Sequence, residues 1–193
     1  MKNYLTKGEI PLKKIASIHE AGHAVIYHMY GHCISSILID DNGSGIVNCS
    51  VHIPNSKIYG KTDNASINKR INIYGVLCLS GYCAELKYQK IPIKGRIKIL
   101  NDNESLENDI SKLESVIREL NNKANNDFGT DLHFYLIQNQ TKEFIRKPKV
   151  WEAILSLSDE LMSEENNSMD GDKAHEILNQ HVKFGFMKTE HFL

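Results

Sequence analysis

Residues Ile15–His28 read IASIHEAGHAVIYH. The apolar positions Leu12, Ile15, Ile18, Val25, Ile26 and Met29 recur at helical spacing, so one helix with a buried stripe is expected from Pro11 to about Gly31. On such a helix, residues four apart lie about 40° apart around the axis and one turn apart along it. His19 and His23 therefore aim both imidazoles at one point, as two ligands of a tetrahedral metal must. Glu20 flanks the same face and is placed to handle a water rather than to bind metal. This is the H-E-x-x-H logic of zinc peptidases: zinc lowers the pKa of a bound water to about 7, and the glutamate takes its proton as the water attacks a carbonyl. His28, nine positions from His19, falls about 180° away and does not join, and His32 lies past the helix end. His52, His133, His175, His181 and His191 are scattered and are read as surface or half-buried.

The residues between the histidines add a packing argument. Ala21, Gly22 and Ala24 are small. Glycine inside a helix costs ~1 kcal/mol relative to alanine, so Gly22 implies another backbone packed close against it.

Beyond the first helix, CISSILID, the turn DNGSG and IVNCSVHI read as a β-hairpin or two short strands. Residues 54–65 read as a loop. Residues 66–88 form a second helix, apolar on more than one side and so central. Residues 91–108 are irregular, 109–123 a charged helix, 130–146 and 149–164 two more, and the turn EENNSMDGD leads into a last helix at 172–182. The 193 residues thus make a single domain, mainly α with a small β-hairpin or short sheet, carrying a polar stretch at about 91–126.

Composition narrows the classes of function. A net charge of −1 gives no strongly basic face, which argues against nucleic acid as the main partner. No apolar run is long enough to span a bilayer, so no membrane anchor is expected. The first residues show no hydrophobic signal segment, and Cys33, Cys49, Cys78 and Cys83 form no CxxC pair, so reduced thiols and a cytoplasmic location are expected. There is no G-x-x-x-x-G-K-[ST] phosphate loop, so no ATP-driven motor is expected.

HEAGHAV, narrower than H-E-x-x-H, resembles the zinc motif of the FtsH-type ATP-dependent metalloproteases. Three further stretches fall in that family's order: LSGYCAELKY (79–88) resembles its G-G-R-A-A-E-E segment, FGTDLHFYL (128–136) the segment around its G-x-x-N-D-L, and MDGDKAHEIL (169–178) its C-terminal L-D-G motif. Together they span nearly the whole chain. The resemblance implies a zincin-like helical metallopeptidase domain in which His19 and His23 bind zinc and Glu20 is the general base. It implies a third ligand from an aspartate on a distant helix, which maps to Asp131, and it offers that helix as the close neighbour of Gly22. Glu85 is the competing ligand; its other reading is a carboxylate that orients a histidine. The sequence departs from the family at Thr130, in place of asparagine, at Leu86, in place of the second glutamate, and in the 91–126 stretch, which is absent from the family pattern and is read first as a surface excursion, otherwise as a lid or a partner site.

The expected activity is that of an ATP-independent zinc metalloendopeptidase. It would hydrolyse unfolded or flexible substrates by general-base attack of zinc-bound water, with the strand near 46–53 aligning an extended substrate. A regulatory peptidase for one partner and a non-catalytic zinc-containing binding module are the alternatives. Oligomeric state is not readable from these residues.

Overall fold

A computed structural model describes residues 10–50, 64–91, 108–115, 118 and 130–187. Helix α1 (Leu12–Tyr30) runs through the middle of the molecule, and from Ala16 to Tyr30 every residue except Tyr27 is buried. Gly31 ends it in the left-handed region at φ 79°. The N–H groups of Gly31 and His32 reach back to the carbonyls of His28 and Tyr27, a geometry glycine adopts without strain.

Strands β1 (Cys33–Ile39) and β2 (Gly45–Ser50) form the expected hairpin. Asp40 closes its turn by accepting hydrogen bonds from the N–H groups of Asn42 and Ser44. Ile34, Ile37 and Ile39 point into the core; burying such a side chain contributes about 1.5–3 kcal/mol. The sheet has a third, antiparallel strand, β3 (Ser168–Asp170), in the order β2-β1-β3. From the sequence this segment reads as a turn. Three residues are too few to show an alternation, and the strand exists because Met169 docks opposite Ile37.

Helix α2 (Asn64–Tyr88) is central, as expected: it packs against α1 and against α4 (Thr130–Arg146), with Ile71, Val76, Leu79 and Ala84 fully buried. Between α2 and α4 comes α3, helical over residues 108–115, where Leu113 is buried. Helix α5 (Pro148–Ser163) starts with proline in its first turn and packs against α1. Helix α6 (Gly171–Asn179) is capped by Asp170, which accepts from the Lys173 N–H. At Gly171 a Cβ would collide with the Ile34 carbonyl, so the MDGDK stretch is the joint that locks β3 and α6 onto β1.

Gly22 does have a backbone against it, and that backbone belongs to α2. A Cβ there would lie 2.7 Å from Ala84 Cβ and 2.8 Å from the Ser80 carbonyl oxygen. The expectation that the helix carrying Asp131 is this neighbour is corrected: the segment 79–88 fills the position because Gly81 and Ala84 are small enough to let the two helices touch.

Candidate metal centre

Three buried side chains converge at the middle of α1: His19, His23 and Asp109. The Nε2 atoms of the histidines are 3.1 Å apart, and Oδ2 of Asp109 lies 3.2 Å from the first and 2.9 Å from the second. Donors bound at ~2.0–2.1 Å from a tetrahedral ion stand ~3.3 Å apart, so this triangle is one face of such a shell, slightly contracted.

The far side of each ring fixes what this triangle presents. Nδ1 of His23 lies 2.8 Å from the Leu77 carbonyl oxygen, and Nδ1 of His19 lies 3.4 Å from Oε2 of Glu85. Both partners accept, so both Nδ1 atoms carry the hydrogen. Both Nε2 atoms then direct lone pairs at one another and at a carboxylate oxygen. Three lone pairs pointing inward are repulsive without a cation between them. A proton can serve: burial alone would lower the His19 ring, but its hydrogen bonds to Asp109 and Glu85 and the charges of Glu20 and Asp109 together push it up to about 10. Asp109 is held well below the usual carboxylate range despite its burial, by the charge and hydrogen bonding of the His23 and His19 rings that share this proton. A metal ion competes for the same point with twice the charge.

Gly81 is the cradle. A Cβ on it would lie 2.5 Å from Nε2 of His23 and 2.6 Å from Nε2 of His19. Only a residue with no side chain leaves the space between the donors open. The chemistry of the donors and this cradle together fit a metal ion.

Glu20 lies next to the triangle and outside it. It is 5 % exposed, and burial raises its carboxyl pKa, with the neighbouring His23 and His19 pulling the other way. Its side chain rests on the backbone of β2: a Cβ at Gly45 would meet Cγ of Glu20 at 2.5 Å. Gly45, read from sequence as a turn residue, is thus needed to admit the glutamate. A cleft of about 190 Å³ opens here, with α1 as its floor, Ser44 of the turn and Gly45, Ile46 and Val47 of β2 on one side, and Asn108, Asp109 and Lys112 of α3 on the other. Tyr27 stacks on the His23 ring at 6.2 Å between centroids and lines the same cleft. Cys78 also lines it, and burial pushes its thiol up to about 12. All four cysteines are free thiols.

The structure therefore brings together His19, Glu20 and His23 as the sequence predicts, and adds Asp109. Glu85 takes the orienting role: Oε2 faces His19 and Oε1 accepts from Gln89. Asp131 is the second residue of α4, and its side chain lies outside the described residues. Asp109 sits inside the 91–126 stretch, so the described part of that stretch is a wall of the cleft, not a surface excursion. Its sequence signal is weak: Asp109 lies four residues before Leu113 on the buried face of α3, in a run that holds other acids. His28 is buried on another side of α1, paired with His175 of α6. Among the described residues no helix is long and apolar enough to cross a membrane. No protein-family model and no curated protein matches the chain.

Proposed function

We propose that this chain is a zinc metallopeptidase that hydrolyses unfolded or flexible peptide segments. The observation that carries the reading is Glu20: a buried carboxylate beside the three donors found among the described residues, all of them lining one cleft. A purely structural metal site closes its shell with four protein ligands and has no use for such a base. The zinc motif HEAGHAV and its resemblance to the FtsH-type proteases support the same conclusion. Two histidines and one carboxylate are a donor set that zinc accepts in catalytic sites.

When bound, zinc supplies a Lewis acid that lowers the pKa of water and polarises a carbonyl. The chain supplies the rest. His19, His23 and Asp109 hold the ion, with Glu85 and the Leu77 carbonyl fixing the ring orientations. Glu20 takes the proton of the attacking water and returns it to the leaving amine. The outer edge of β2, unpaired among the described residues, offers backbone groups to an extended substrate beside Glu20.

The test is direct. The purified protein should bind about one zinc per chain, as a single three-ligand site requires, and cleave an unstructured peptide. Glu20→Gln should retain the metal and lose about 10²–10⁴-fold in kcat, the range of a general base. Cleavage by Glu20→Gln at the parent rate would sink the reading.

A further inference from the structure

Lys112 stands in the cleft, and neither metal binding nor proton transfer uses it. It lies on α3, three residues after Asp109, with its side chain 71 % exposed. Its Nζ is 3.6 Å from Oδ1 of Asp109, the oxygen turned away from the histidines. The ammonium is therefore one carboxylate's width from the metal position, across the cleft from β2. A pair this long and this exposed is loose, and it loosens further once a dication takes up the charge of Asp109. The cleft lining carries two carboxylates, Glu20 and Asp109, and one ammonium, Lys112. With His19 protonated the lining is neutral, and a dication that replaces that proton makes it positive. A peptide extended along β2, at ~3.3 Å per residue, passes Lys112 within about two residues of the bond at the metal.

Building on the peptidase reading above, we propose that Lys112 makes the cleft select peptides bearing a carboxylate within about two residues of the scissile bond. The carboxylate comes either from an Asp or Glu side chain or from the free C-terminus of the peptide. Lys112 touches the substrate in this role, and it sets specificity rather than the chemical step.

The experiment uses the zinc-loaded full chain. The bond cut in one unstructured peptide is mapped, and versions with Glu, Gln or Lys at the flanking positions are compared. A second pair ends two residues beyond the bond, as free acid or as amide. At low salt the Glu version should exceed the Lys version about tenfold in kcat/KM, as expected for reversing one partly exposed charge contact, and the ratio should shrink as salt rises. Preference for the free acid over the amide identifies the chain terminus as the source, and preference for Glu identifies the side chain. Lys112→Arg should keep the ratio, Lys112→Met should bring it to about one, and Lys112→Glu should invert it. A ratio of two peptides in one variant is independent of how much of that variant is active, so partial misfolding does not mimic the effect. An unchanged ratio in Lys112→Met, or equal cleavage of all versions by the parent, overturns this inference alone. Failure of the zinc-loaded parent to cut any peptide overturns the peptidase reading and this inference with it.

Discussion

Oδ2 of Asp109 lies 3.2 Å from Nε2 of His19, a residue ninety positions earlier in the chain. This contact closes the donor triangle, and the proposed site needs it. Asp109→Ala leaves two imidazoles and no carboxylate, and should weaken zinc binding at least about 100-fold, since the affinity rests on the full ligand set. Asp131→Ala should leave binding unchanged. Titration of both variants with zinc against a competing chelator checks this; tight binding by Asp109→Ala with loss in Asp131→Ala would reverse the assignment.

Glu85 acts one step further out. It holds the Nδ1–H of His19 and touches no point of the triangle, so Glu85→Gln should preserve the site in weakened form. The expected change is about 10- to 100-fold in metal affinity, the usual effect of removing a carboxylate behind a ligating histidine. The same titration, with circular dichroism to confirm an unchanged helix content, decides it. Identical affinity in parent and variant would leave Glu85 with no orienting role.

The parts of this protein that read well from sequence are those whose signal is local. The stripe of α1 and the β-branched hairpin with its Asn42-Gly43 turn each specify themselves within a few residues. His19, Glu20 and His23 share one helix face, so their cooperation is fixed by helix geometry alone. Asp109 has no such signature. It stands in the run ESLENDISKLE among other acids of equal local standing, and only the tertiary approach of α3 to α1 distinguishes it. Strand β3 failed for the same reason, since its three residues become a strand by pairing with β1. The neighbour of Gly22 is not legible in the sequence because the close approach of α2 depends on Gly81, whose smallness looks incidental there.

Gly81 and Gly22 separate the two uses of a small residue. Gly81→Ala places a methyl group between the donor nitrogens, so the variant should keep its helical spectrum and lose zinc binding. Gly22→Ala places a methyl group against Ala84 and the Ser80 carbonyl, neither of which is a flexible side-chain end. Overpacking of that kind costs about 1–3 kcal/mol, against a gain of ~1 kcal/mol in helix propensity, so a net loss of stability is expected. Denaturant midpoints and zinc titration on both variants check the contrast. A Gly81→Ala protein that binds zinc normally would show that the donors do not need this space.

The second histidine pair makes stability depend on acid. The Ile34 N–H donates to Nε2 of His175, so that ring carries its proton on Nδ1 and gives it to Nδ1 of His28, 2.7 Å away. His28 then carries its own proton on Nε2, directed at the Val182 carbonyl oxygen at 3.2 Å. This relay ties α1, β1, α6 and the segment after it together with both rings neutral, and a proton added to His28 must land on the nitrogen that accepts from His175. Burial, with His175 adding to it, lowers His28 from 6.5 to about 4; Asn179 and Val182 oppose that weakly. Burial lowers His175 as well, with Asp172 opposing. A folded-state pKa below the unfolded one means that the unfolded chain takes up protons first. The stabilisation is therefore complete above about pH 6.5, and it is lost as the pH falls from there toward 4. Urea midpoints measured from pH 8 to pH 4.5 with chelator present should fall steeply across this window in the parent and less steeply in His28→Gln. Chelator makes the metal centre contribute alike to both proteins, so equal slopes would remove the relay as the source of acid sensitivity.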